Sequence, residues 1–539
     1  MKMTGGQALV AQLIAEGVTD VFGVPGVQLD WAVDALRQQR NAIRFIVPRH
    51  EQATSYMADG YARLRGKFGV CMVVPGPGLL NAMAGLATAY ACSSPVLCIS
   101  GNIHSSGVGK ELGLLHEVRN QTRALESVTK WQGTTTQVSE IPGLVRRAVS
   151  EMMSGTHRPV AIEISHDVLS ATGDVEIIAP PRVPVRIAGP AEKIADAATL
   201  LRDAKRPVIY AGGGVLASGA SEVLARVAET LGAPVVMSEN GRGAISDRHP
   251  LALNVLAGRA VFKSADVALV IGSRFVDTMS GKPAWPLPEP RLIFVNTDEH
   301  LIQHQPNCAV GIVADAGACL EALAAALSGT RTCAFPLNEI RKDAERQMRT
   351  VEPQSAWIAA IRDCIPDNGI FVNELTQVGY YARVAYPVFE PGTFISPGYQ
   401  GTLGYALPTA MGAALADPRR SVVAISGDGG FGWNLQELAT ARKYGIAFVM
   451  IVFNDGHFGN VRRMQEDQFA EAYGVELANP DLALLSRAFG VSYARADTPA
   501  ALRETLASSI GSGGPWLIEA RVGTMPSPWP LLRLTPTFK

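Results

Sequence analysis

The chain has 539 residues, of which 47% are hydrophobic and 18% charged, and its 48 basic and 49 acidic side chains give a net charge of −1. That length predicts about three domains, and the apolar content excludes global disorder. The balanced charge excludes a broadly basic nucleic-acid-binding surface, and a charged fraction below the usual ~25% suggests surface hidden in an oligomer.

The N-terminal stretch MKMTGGQALVAQLIAEGV predicts a capped helix, not a signal peptide. Seven cysteines form no CxxC pair, which argues against a disulfide framework or a zinc site. The long apolar run 447–453 falls far short of the ~20 residues that span a bilayer. A soluble, cytoplasmic protein without membrane or nucleic-acid partners is the expectation.

Short β-rich runs alternate with helical stretches: 70–74, 96–100, 160–164, 208–211, 267–271, 292–295, 422–426 and 448–453. Such runs predict an α/β fold of three doubly wound parallel-sheet domains, covered by helices on both faces. Proline-rich 179–191 and polar, charged 329–355 read as linkers. The resulting domains are 1–178, 190–330 and 355–530, followed by a tail, 531–539. Each domain carries a glycine-rich turn after a strand: VVPGPG (73–78), YAGGGVLASGA (210–220) and AISGDGG (424–430).

Gly427-Asp428-Gly429 follows the third of these strands; a predicted helix over 434–444, the strand 448–453 and then Asn454-Asp455-Gly456-His457 come next. This spacing puts Asp428 and Asp455 at the carboxyl ends of neighbouring strands, where doubly wound sheets bind ligands. Glycines at 427, 429 and 430 let backbone N–H groups approach a phosphate. Two hard oxygen ligands beside a diphosphate suit Mg²⁺.

GDG followed by this turn resembles the thiamine diphosphate motif of the decarboxylase–carboligase superfamily. VFGVPGVQLD (21–30), RHEQATSYMADGYAR (49–63), PGPGLLNA (75–82), TKW (129–131), PVIYAGGGVLASGASE (207–222) and GTLGYALPTAMGAAL (401–415) extend the resemblance, to acetolactate synthase-type enzymes, over nearly the whole chain. The resemblance implies a pyrimidine-binding first domain, a central domain and a diphosphate-binding third domain. It assigns Glu51 to a hydrogen bond with the cofactor's aminopyrimidine, Leu403 to the apolar wedge that bends the cofactor, and the Gly401 carbonyl to the pyrimidine amino group. Asp428 and Asp455 would bind Mg²⁺ through side chains and His457 through its backbone oxygen. Gly429 and Gly430 would line the diphosphate, with Gln377 a further candidate; Val27 would line the cofactor's reactive face, and Pro25, Gly26, Asn81, Gly427, Phe458 and Gly459 would also contact the cofactor. Because the superfamily splits its site between two subunits, a homodimer is the smallest expected active unit and a homotetramer the expected assembly.

The substrate pocket departs from acetohydroxyacid synthases. Met464 stands where they carry tryptophan, Leu115-His116 replaces Phe-Gln, His166 replaces lysine, and Val27 replaces glycine. Val27-Gln28 also stands in place of the paired histidines of simple pyruvate decarboxylases. His116 and His166 are therefore the expected acid–base or orienting groups, with Gln121 as a further candidate and Asn460 in the pocket. Gly212–Gly214 and Gly272–Phe275 resemble segments that hold FAD, although GSRFVD and Leu256-Ala257-Gly258-Arg259 depart from the usual pattern. The expected reaction is C–C bond cleavage or formation on a 2-keto acid, with pyruvate as donor. An aldehyde or diketone lyase of the benzaldehyde lyase type, a flavin-linked oxidase and a non-catalytic binding protein are the alternatives.

Overall fold

A computed structural model describes residues 1–180, 186–278, 291–305 and 308–532. Most of the predicted tail and part of the first domain junction lie outside the described residues.

Three six-stranded parallel sheets organise the chain. All eight predicted strand segments are strands. Each is buried almost throughout, because helices cover both sheet faces. The strands that the hydrophobic pattern missed are mostly shorter or at sheet edges, such as Gln132–Thr135, Ala252–Leu253 and Ser492–Arg495. Numbered within its own sheet, the first sheet runs 2-1-3-4-6-5, and the third sheet has the same order. The middle sheet runs 3-2-1-4-5-6, the order of dinucleotide-binding folds.

The likeness of first and third domains extends to side chains. Asn102 ends the fourth strand of the first six-stranded sheet and donates to buried Glu163 at 3.2 Å. Asn454 ends the fourth strand of the third domain and donates to buried Glu519 at 2.9 Å.

Three expectations need correction. The N-terminus begins with a short strand, Lys2–Thr4, paired antiparallel with Thr172–Asp174; the capped helix starts only at Gly5, with Thr4 and Gln7 closing a capping box. The predicted helix over 434–444 is two helices, Asp428–Asn434 and Glu437–Tyr444. The supposed linker 329–355 contains the helix Leu337–Met348. Its apolar residues 337, 340, 344 and 348 keep a helical period inside a charged sequence, and it packs on the helix Val255–Phe262.

First and third domains meet where the helix Glu51–Arg65 crosses the helix Ala406–Ala416. The crossing needs glycine on both sides. A Cβ on Gly60 would stand 2.2 Å from the Thr409 carbonyl oxygen, and one on Gly412 would stand 2.0 Å from that of Met57. Among the described residues no helix is long and apolar enough to cross a membrane.

Candidate active site

The third domain opens a cavity of about 250 Å³ at the carboxyl ends of its strands. Gln377, Gly401, Leu403, Gly427, Asp428, Gly429, Gly430, Asp455, His457, Phe458, Gly459 and Asn460 all line it. Thus every third-domain residue expected to hold the cofactor faces one space. The strands Val422–Gly427 and Phe448–Asn454 are direct neighbours, with Gly427 opposite Phe453, which brings the two aspartates together.

Both aspartates are constrained. Asp428 accepts from the Gly456 N–H at 2.9 Å and from Asn479 at 2.6 Å; Asp455 accepts from the His457 N–H at 3.0 Å. Burial raises the Asp428 carboxyl above its ordinary range. Burial, then the neighbouring Asp428 charge, pushes Asp455 up to about 6. Two partly desolvated carboxylates that repel each other suit a divalent cation, whose charge relieves both penalties. Among the described residues no group of three or more His, Cys, Asp and Glu side chains gathers as for a metal. A pair of carboxylates is what a Mg²⁺ site completed by phosphate and water requires. The His457 ring contacts the Asp455 carbonyl oxygen at 2.7 Å and Arg462 at 3.2 Å, so its side chain is occupied.

The glycine wall would also fit a phosphate. A Cβ on Gly430 would strike the Glu374 carboxylate at 1.9 Å, and one on Gly429 the Phe458 ring at 2.6 Å, so backbone alone faces the cavity there. The Gln377 side-chain carbonyl is buried without a hydrogen-bond partner.

The first-domain candidates form a second group, and none of them lines this cavity within the chain. Glu51 opens its helix, half-buried, and accepts from Asn81 at 3.0 Å. Gly26 stands in extended backbone before the turn Val27–Leu29, and Pro25 and Val27 are exposed. The buried Gln28 bonds the His116 Nδ1 at 3.0 Å and donates to the Leu115 carbonyl at 3.1 Å. His116 has φ +67°, a left-handed conformation unusual for a residue with a side chain, and its carbonyl would lie 2.3 Å from a Cβ on Gly76. His166 opens the helix His166–Ser170, which packs against the Val27–Leu29 turn; its ring meets His104 edge-on at 5.5 Å, and its Nδ1 is buried without a partner.

Gln121 takes a different position from the one expected. It is buried, accepts from the Gly76 N–H at 2.9 Å, and donates to Ser100, Gly101 and Glu163. With both ends of its amide engaged, it holds the glycine turn. Leu115 and Met464 are exposed, and Met464 contacts the Asn460 amide through sulfur.

Sequence reasoning missed Glu374, Thr402 and Met525 in the cavity wall, and Asn479 on Asp428. Glu374 and Thr402 lie beside residues singled out as motif members; Asn479 sits in a loop with no signal at all.

A second cavity, about 320 Å³, lies at the junction of the three domains. Gly213-Gly214 and Gly272–Phe275 line it, with Arg158, Arg383, Tyr399 and Trp529. It adjoins the ends of the first and fourth strands of the middle sheet, the switch point where such sheets bind ligands. Trp529 also donates to Asn460 at 2.9 Å and packs on Tyr380 at 4.8 Å, so the C-terminal segment lies against the first cavity too.

Doubly wound domains with a carboxylate- and glycine-lined cavity at their strand ends define a ligand-binding α/β enzyme. Comparison with known proteins gives the family. Residues 3–125 match the thiamine pyrophosphate enzyme N-terminal TPP binding domain, 194–323 the central domain, and 375–520 the C-terminal TPP binding domain. A probable 2-ketoarginine decarboxylase of Pseudomonas aeruginosa is 35% identical over 96% of this chain and 94% of its own length. The acetolactate synthase isozyme 1 large subunit of Escherichia coli is 30% identical over 98% and 96%. A probable acetolactate synthase large subunit of Methanocaldococcus jannaschii is 32% identical over 96% and 91%. The chain belongs to the thiamine pyrophosphate enzyme family and is a thiamine diphosphate-dependent enzyme.

Proposed function

We propose that this enzyme, as a homodimer or a homotetramer built from two such dimers, cleaves or forms a C–C bond next to the carbonyl of a 2-keto acid. The observation that carries the reading is the single cavity shared by Asp428, Asp455, the glycine wall and Leu403. Asp428, Asp455 and the His457 backbone oxygen would hold Mg²⁺, with Gln377 and the Gly429–Gly430 backbone beside the diphosphate. When bound, the cofactor supplies a thiazolium that accepts the electron pair released as CO₂ or an aldehyde departs.

The protein's part is orientation and proton handling. Glu51, its Oε2 held by Asn81, would share a proton with the pyrimidine ring of the partner subunit's cofactor. Its absence from the cavity of its own chain supports a shared site. So do exposed apolar side chains on both faces that would meet, Val27, Leu80 and Leu115 in the first domain and Trp433 in the third. With its Nδ1 held by Gln28, His116 would present Nε2 to the substrate, and His166 would stand beside it.

Pyruvate is the proposed donor. The relative named as a 2-ketoarginine decarboxylase, at 35% identity, favours a second reading, decarboxylation of a larger 2-keto acid without carboligation. The second cavity suits a nucleotide, and a flavin there would give the purified protein the visible absorbance of oxidised flavin.

The test is an assay of the full chain with thiamine diphosphate and Mg²⁺ against pyruvate, larger 2-keto acids including 2-ketoarginine, and acyloins. CO₂ release with an acyloin or acetolactate product supports carboligation. CO₂ with an aldehyde supports simple decarboxylation. Acyloin cleavage without CO₂ from any 2-keto acid overturns the proposal in favour of a lyase.

A further inference from the structure

The turn that carries Leu403 is held from outside. Gly401 has φ +57° and Gly404 φ +78°, so the chain is left-handed on both sides of Thr402-Leu403. Three side chains grip it. Tyr56 of the first domain shares a 2.7 Å hydrogen bond with the Thr402 hydroxyl. Asn434 donates to the Gly404 carbonyl at 2.7 Å. Glu374 accepts the Gly404 N–H through Oε1 at 3.2 Å and the Ala406 N–H through Oε2 at 2.7 Å.

Glu374 is unusual among these. It follows the strand Ile370–Asn373, is 2% exposed, and makes no ion pair among the described residues. A buried carboxylate without a counter-ion costs free energy, which backbone N–H donors only partly offset. Helix N-termini are ordinarily capped by the residue just before them. Here the cap on the helix Ala406–Ala416 comes from a distant element, across the cofactor cavity wall. The same carboxylate abuts Gly430 on the diphosphate side. It therefore touches both the turn carrying the wedge and the helix beside the diphosphate.

We propose that Glu374 is a positioning residue for bound thiamine diphosphate: its two oxygens fix the Gly404–Ala406 backbone and so set how far Leu403 reaches into the cavity. The proposal rests on the reading of Leu403 as the wedge that bends the cofactor. Burial pushes the Glu374 carboxyl up to about 7, as expected for a group held by neutral donors alone.

The test compares E374Q, E374D and L403A in the full chain loaded with saturating thiamine diphosphate and Mg²⁺. It reads the rate at which the cofactor C2 proton exchanges with deuterium, alongside circular dichroism to verify folding. A helix cap alone would change thermal stability and leave exchange at the wild-type rate. The expected result is folded E374Q and L403A that both exchange roughly tenfold or more slowly, since a misplaced reacting group costs about that or more. E374D, which keeps the charge, is expected to recover part of the rate. If E374Q does not fold, E374D against wild type is the deciding pair. A wild-type rate in E374Q beside slow L403A overturns this proposal alone. A wild-type rate in L403A overturns the wedge reading, and this proposal with it.

Discussion

At the residue scale, the site divides into groups that meet charge and groups that orient. Glu51→Gln keeps the shape of Glu51 and removes its acid. Turnover is expected to fall by about 10²–10⁴ while the cofactor stays bound, as read by steady-state kinetics beside a cofactor titration. His116→Ala should likewise lower turnover without releasing cofactor; an unchanged kcat would remove His116 from the chemistry. The two aspartates should not behave alike. Asp455→Asn retains an oxygen and removes the repulsion between the carboxylates, so Mg²⁺-dependent cofactor binding is expected to survive. Asp428→Ala removes the carboxylate on which Gly456 and Asn479 converge, and should abolish that dependence in a titration at several Mg²⁺ concentrations. The residues readable from sequence were those whose identity the backbone forces. Gly429 and Gly430 admit no Cβ, and the spacing from Asp428 to Asp455 follows from one strand–helix–strand unit. Glu374 was not readable, because a glutamate at a strand end carries no periodic signal; only the fold shows that both its oxygens point at a turn thirty residues on. Gln121 shows the opposite ambiguity, since a polar residue near a motif can serve the scaffold as easily as the substrate.

At the element scale, what the sequence conveyed depended on burial. Most of the longer strands covered on both faces announce themselves as apolar runs, whereas edge strands such as Gln132–Thr135 and short buried ones such as Ile370–Asn373 do not. The helix Leu337–Met348 was hidden by its charges, although its period was intact. The crossing of the helices Glu51–Arg65 and Ala406–Ala416 shows what a sequence reading cannot supply: which glycines face each other. Gly60→Ala is expected to overpack that crossing by about 1–3 kcal/mol and lower the melting temperature in calorimetry. Glycines facing open space, such as Gly143 and Gly523, should accept alanine with little change.

At the scale of the molecule, first and third domains are one scaffold used twice, with the same strand order and the same Asn–Glu clasp between equivalent strands. Only one copy carries the aspartates. Several carboxyls buried in and between these domains, Asp59, Glu163, Glu374 and Glu437, are raised by burial above their ordinary range. The unfolded chain then loses these protons at lower pH than the native one. Their contribution to stability is greatest below the ordinary carboxylate range and declines as pH rises through it; for Glu374 the decline runs from 4.5 to about 7. Thermal melts of the cofactor-free protein across that window should show a smaller decline in Glu374→Gln than in wild type.

The helix Glu51–Arg65 also holds the third domain of its own chain. Gln52 bonds Asn434, and Tyr56 bonds Thr402, within two turns of Glu51. In the proposed dimer the tip of this rod serves the partner's cofactor while its flank steadies the wedge turn of its own. The rod is then a lever with an arm in each centre. A shift along its axis would move Glu51 and the Tyr56–Thr402 bond together, so the two centres of the proposed dimer share one rigid element.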